Sequence, residues 1–362
     1  MTRRPLSHRY ALCPDVLWWP ALFNGAEGLN RGAVAECVAI VRDLVEHAGC
    51  ALSDTGRGPL DVVQRAVREW PAVQRRQVQE LFAQLYREGR WVTGPPAVAA
   101  PDVHGCDWAA RAASQSDGVV VPTACHCARG AHREFGNPNS ASVADYWAAP
   151  WRQAMQGGCI SVDRDWPRDE FARVFWRPIL RHATTVTVVD RYIGRNHADT
   201  RETAGQRRYQ DALGYVVDTW KSTTPPGGMR TLVLVTGDGG SPPSQVYARL
   251  NAVKTELERE DWLSVQVDLR HEAPIPLPHD RWLYTRQGLW QLGGGLDLFR
   301  NNGQVAAHVY TRLSQSIWRE IRQQYQNIAR FTPPDPFGDP ETTRTKARAS
   351  VAESETAVDA ST

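Results

Sequence analysis

The run Thr185-Val186-Thr187-Val188-Val189, closed at once by Asp190-Arg191-Tyr192, constrains the fold more than any other stretch of this chain. Five β-favouring residues bounded by charge read as a buried strand, which belongs in a sheet covered by helices. Around it the apolar spacing alternates between the two periods. Helices are expected over 170–182, 206–220 and 244–260, and strands over 231–236 and 263–269. Two more strands are expected near 282–284 and 289–292, followed by a terminal helix over 311–328. The pattern predicts an α/β unit spanning about 151–330, a mixed sheet flanked by helices. It also puts Asp190 at the C-terminal end of a strand, where open α/β sheets form their ligand crevices.

The first 150 residues read differently. Val34, Val38, Val41, Leu44 and Val45 recur at helical spacing with charges between them. A turn over 53–59 precedes a second helical stretch, in which Leu60, Val63, Val67 and Trp70 share a face. Pro71 opens a third, running to Tyr86, with Gly89 as its stop. One short strand is expected at Val119 to Val121, and residues 125–142 read as loop. A mostly helical or mixed N-terminal domain is therefore expected over 1–150. Beyond Phe331 the composition turns to Pro, Thr, Ala, Ser, Asp and Glu without apolar periodicity, so 331–362 is expected to be disordered.

Composition narrows the function classes. The 362 residues suffice for two domains, and 42% are hydrophobic, as in an ordinary globular protein. No apolar run approaches the roughly 18 residues of a spanning helix, so no transmembrane segment and a cytoplasmic location are expected. The net charge of +2 excludes a polybasic nucleic-acid arm and leaves local patches. Three of the 42 basic residues are Lys, and the Arg are dispersed, as biased genomic composition would leave them. Seven Cys, an odd number and none beyond Cys159, fit a reducing compartment.

The chemistry-bearing residues concentrate in two places. One is Asp190-Arg191-Tyr192-Ile193-Gly194-Arg195. The other is His279-Asp280-Arg281 before a strand, followed by the turn Gly293-Gly294-Gly295-Leu296-Asp297. A guanidinium, an imidazole and free backbone N–H groups together suit a phosphate or phosphodiester. A plainer reading makes His279-Asp280-Arg281 a pin, with Arg281 paired to Asp297 to hold the glycine turn. Asp190 likewise either caps the loop that follows it or orients His279 or Arg281.

In the order of these parts the chain resembles the C-terminal domain of the MIT-domain proteins and its bacterial relatives, which have a phospholipase-D-like fold. The resemblance runs over about 160–330: a strand ending in Asp190, Tyr192 and Ile193, a helix with Tyr209, strands at 232–236 and 265–269, then His279-Asp280-Arg281 and Gly293 to Phe299. It implies phosphate or phosphodiester recognition. Nucleic-acid binding or cleavage in bacterial defence is the first expectation. The alternative is a noncatalytic module for a lipid head group or a protein partner, with any effector activity in the N-terminal half. If catalytic, His279, Arg281 and Asp297 are the candidates. Asp190, Tyr192, Arg195, Asp280, Gly293, Gly294 and Gly295 are then the binding set. The superfamily's motif is His-x-Lys with an Asp after four further residues; here Arg281 replaces the Lys and Arg286 stands where the Asp belongs. Since the motif occurs once and a phosphohistidine mechanism needs two imidazoles, catalysis would require a homodimer. No cofactor is implied, and peripheral membrane contact remains open.

Weaker signals lie in the first half. His104, Cys106, Cys125, Cys127 and His132 offer zinc ligands at irregular spacing, against which stands the ordinary burial of Cys as a small hydrophobe. Glu36, Asp43, Asp54, Asp107 and Asp117 suggest a metal-dependent nuclease of the PIN-like type if they cluster, and solvated charge if they do not. Trp18, Trp19, Trp147 and Trp151 are expected to pack between domains rather than stack on bases.

Overall fold

In the computed structural model, residues 9–333 are described apart from 14–15, 18–29, 48, 54–58, 88–89, 95–111, 113–115, 123–139, 153–158, 163–165, 182, 198–203, 224–227, 260, 300–303 and 315. The described residues form two sheets flanked by helices, an α/β architecture.

The first sheet contains β1 (Arg9–Leu12), β2 (Gly49–Ser53), β3 (Trp91–Gly94), β4 (Gly118–Val121) and β5 (Ser140–Ser142). All are parallel, in the order β3-β2-β1-β4-β5, so the chain winds outward from β1 and then reverses across it. The helices α1 (Arg31–His47), α2 (Pro59–Ala66) and α3 (Ala72–Arg87) match the three expected from periodicity. The strands β1, β2, β3 and β5 were not individually expected; with the helices they make this half mixed, the second of the two forms expected for it. Each has only three to five residues, too few for alternation to register, and their partners are distant in sequence. Trp151 belongs to this core rather than to an interface: its ring stacks on Tyr10 with centroids 4.8 Å apart.

The second sheet is mixed, in the order β6-β12-β11-β10-β7-β8-β9. Its parallel half is β7 (Thr185–Val189), β8 (Arg230–Gly237) and β9 (Leu263–Arg270), joined through α5 (Arg191–His197), α6 (Ala204–Thr223) and α7 (Pro243–Leu257). On the other side of β7, β10 (Trp282–Thr285), β11 (Gly288–Leu292), β12 (His308–Leu313) and β6 (Cys159–Val162) continue antiparallel. Alternate side chains feed different layers. Val186 and Val188 join the cluster beneath α6, whereas Val189 and Val235 meet Trp318, Ile321 and Tyr325 of α8 (Ile317–Gln326).

The expected helix over 311–328 is instead β12 followed by the shorter α8. Val309, Thr311 and Leu313 alternate with Tyr310 and Arg312, and open places beside β11 and β6 recruit the segment as a strand. The helix expected over 170–182 is three continuous segments, α4: Arg168–Phe171, a wider turn over Ala172–Trp176, and Arg177–Leu180. The widening has a local cause, because Pro178 has no N–H to donate to the carbonyl of Val174. The loop expected over 125–142 lies outside the described residues except at β5, as does the tail beyond 333.

The two sheets meet at the end of α1. Arg90 and Arg312, both buried, donate to the carbonyls of Val45 and His47, which no further helical turn can satisfy. Ser314 and Ser316 donate to Glu46, and Arg181 lies 3.4 Å from Asp117.

Candidate functional site

Register brings the two predicted segments together. Trp282 pairs with Val189, so Arg281 sits beside Asp190; Trp282 also pairs with Gln291, which sets the glycine turn on the far side of Arg281. The Leu292 N–H donates to the Arg281 carbonyl at 2.7 Å, and the Gly293 N–H to that of Val309.

Asp190 is the centre of this arrangement and is wholly buried. One carboxylate oxygen accepts from the Tyr192 N–H at 2.9 Å, capping α5, and the other accepts from the Leu296 N–H at 3.0 Å, holding the turn. The Tyr209 hydroxyl approaches at 3.5 Å and Arg281 Nε at 3.6 Å. Burial pushes the Asp190 carboxyl up to about 6, against the opposing pull of the two N–H groups, Arg281 and Tyr209. Arg281 donates in turn to the Gly293 carbonyl at 2.9 Å and lies over the Tyr192 ring, 4.5 Å from its centre. Asp190 and Arg281 are thus a clasp between β7, β10 and the glycine turn. Asp190 thus caps α5 and at the same time lies in ion-pair contact with Arg281.

The pairing expected between Arg281 and Asp297 is not formed. Asp297 pairs with Arg208 of α6, 2.8 Å from its Nε, and the Asp297 carbonyl faces His308 Nε2 at 3.0 Å. Sequence reasoning missed Arg208 because it sits within an ordinary polar helix face. The glycines serve close approach, as expected, but to protein groups. A side chain at Gly294 would overlap the His308 ring, and one at Gly295, whose φ is +63°, would overlap Asp190 and Arg281. Gly295→Ala is therefore expected to destabilise the fold by about 2 kcal/mol, read as a shift in the urea midpoint at unchanged slope.

His279 and Asp280 are exposed. The His279 ring meets the edge of Tyr192 with centroids 5.7 Å apart, and among the described residues it has no hydrogen-bond partner. Arg195 belongs to α5, and its side chain lies outside the described residues.

A neighbouring cluster was not anticipated. β8 and β9 also end at this edge, in Asp238 and His271. Asp238 is wholly buried; one oxygen lies 2.5 Å from His271 Nδ1, and the other accepts from the Gly240 N–H at 3.0 Å. Glu272 accepts from the Gly239 N–H at 3.0 Å and pairs with Arg191 at 3.2 Å. The available signal was positional, since Asp190, Asp238 and His271 each follow a strand of the parallel half.

Among the described residues the first-half acids do not converge. Asp43 accepts from the Tyr146 hydroxyl at 2.7 Å and pairs with Arg152 at 3.1 Å, while Asp117 pairs with Arg181. Asp54, Asp107 and the zinc candidates His104, Cys106, Cys125, Cys127 and His132 lie outside the described residues. Among the described residues no three His, Cys, Asp or Glu side chains are placed to hold a metal ion, and no helix is long and apolar enough to cross a membrane. Set against known families and curated proteins, the sequence matches none.

Proposed function

We propose that the C-terminal edge of the seven-stranded sheet recognises phosphate or phosphodiester groups, in the manner of a phospholipase-D-like domain, and that His279 and Arg281 bind the ligand rather than cleave it. The observation that carries this reading is the meeting of an exposed imidazole and a guanidinium on one ring: His279 lies 5.7 Å and Arg281 4.5 Å from the centre of Tyr192. Two donor groups of this kind, one on the surface and one 16% exposed, suit an anion. Chemistry at His279 has less support. No described carboxylate orients its ring, and Arg286 stands where the superfamily's acid belongs.

The reading is tested by fluorescence anisotropy with a short labelled oligonucleotide. His279→Ala is expected to weaken binding about tenfold, the value of one charge-assisted hydrogen bond. Unchanged affinity would remove His279 from the surface. Salt dependence distinguishes the ligands: a polymer releases several counterions and gives a steep slope, whereas a slope near that of a single phosphate identifies a head group.

A further inference from the structure

We propose that His271 is the general base of an RNA-cleaving centre on this edge, with Asp238 as its positioning residue. The inference takes its substrate class from the phosphodiester reading above and adds a reaction and a residue.

The geometry is that of an imidazole held from behind. Asp238 is 0% exposed and the His271 side chain 46% exposed, so the pair runs from the protein interior to its surface. The Asp238 carboxylate accepts from the Gly240 and Glu272 N–H groups and from the ring, which places the imidazole proton on Nδ1. Nε2 then carries its lone pair, and no described group bonds to it. The backbone beneath is pinned: the His271 N–H donates to Ala329 at 2.8 Å, and that of Asp238 to Arg270 at 3.1 Å. The buried carboxylate holds the turn at Gly240 and also fixes the ring's tautomer, which is the support a general base needs.

This centre adjoins the anion surface. Glu272, next in sequence to His271, pairs with Arg191, whose guanidinium lies 5.8 Å from the centre of the Tyr192 ring that His279 and Arg281 also touch. The proposal requires a phosphodiester chain bound across Tyr192 to run past Arg191 toward the imidazole.

A single imidazole base accelerates a reaction by roughly 10²–10⁴-fold. That suffices where the nucleophile is already tethered to the phosphorus, because tethering contributes effective molarities on the order of 10⁵ M and above. RNA carries such a nucleophile in its 2′-hydroxyl, and DNA does not. Nε2 takes the 2′-hydroxyl proton, the 2′-oxygen bonds to phosphorus, the bond from phosphorus to the 5′-oxygen breaks, and that oxygen takes a proton from water. The products are a 2′,3′-cyclic phosphate and a 5′-hydroxyl, and the imidazolium returns its proton to solvent.

The test uses the full chain in EDTA with a short mixed-sequence RNA, the same RNA carrying 2′-O-methyl groups, and anisotropy on both. The expected result is cleavage of the first alone, leaving cyclic phosphate ends. His271→Ala and His271→Gln should each lower the rate at least 100-fold while affinity changes by less than about twofold. Asp238→Asn should lower it about tenfold and displace the acid limb of the pH–rate profile, which a purely structural loss would not do. Binding without cleavage, cleavage of the 2′-O-methyl RNA, or an undiminished rate in both His271 variants would overturn the proposal. Loss of binding by the unaltered protein would overturn the phosphodiester reading itself.

Discussion

Asp190→Ala is expected to lower the unfolding free energy by about 3–5 kcal/mol, the cost of removing one partner from a buried ion pair. The loss has three sources. The N–H groups of Tyr192 and Leu296 lose their acceptor, and Arg281 keeps its place between strands with one charge uncompensated. Asp190→Asn, which preserves volume and one acceptor oxygen, should cost less. A pH series isolates the charge. The folded carboxyl titrates near about 6, above the ordinary 3.8, so the folded chain holds this proton more tightly than the unfolded one. Protonation therefore stabilises: the contribution is complete below about pH 4 and is lost as pH rises to about 6, a change on the order of 3 kcal/mol. Urea unfolding at several pH values should show this fall in the unaltered protein and not in Asp190→Asn. The same slope in both would place the carboxyl at its ordinary pKa, with the two N–H groups, Arg281 and Tyr209 offsetting its burial in full.

Arg312→Ala is expected to cost about 3 kcal/mol through a different part of the molecule. Arg312 lies on β12, opposite Trp290, and donates to the last carbonyl of α1, so it links the second sheet to the helix layer of the first. Burial lowers its guanidinium to about 10, far enough above neutrality that it stays charged. Its removal withdraws a cation from a helix C-terminus, worth up to about 2 kcal/mol, and leaves the His47 carbonyl unpaired, worth about 1–3 kcal/mol. Arg312→Lys should recover only part of this, since an ammonium lacks the planar fork that reaches a carbonyl beside an aromatic ring. The check is the urea midpoint of the three proteins; a loss below about 1 kcal/mol in Arg312→Ala would show that the joint at α1 carries little of the stability.

The parts of this fold that were legible in the sequence share a property. α1, α3, α6 and α7 each bury a face long enough for its period to repeat, and β7, β8 and β9 carry runs rich in β-favouring residues; each stood out within a few residues of its bounds. The elements missed were short or depended on a distant partner: β1 to β3 and β5 in the first sheet, and β6 and β12 at the far side of the second. The site divides in the same way. Asp190 and Arg281 were singled out by their places beside strands, and β-register made them neighbours. Arg208, Asp238 and His271 carry no local signal, because a side chain's partner across the sheet leaves no trace in its own neighbourhood of the chain.

The sequence by itself determined that the second half is an α/β sheet with charged residues at its strand ends, because hydrophobic periodicity is a local property and survives without knowledge of contacts. Only the tertiary structure decided what those charges do. Strand order and register sealed Asp190 beneath Arg281, sent Asp297 to Arg208, and set a buried carboxylate behind the exposed ring of His271, since pairing between charges depends on distance in space and on burial, neither of which is written in adjacent residues.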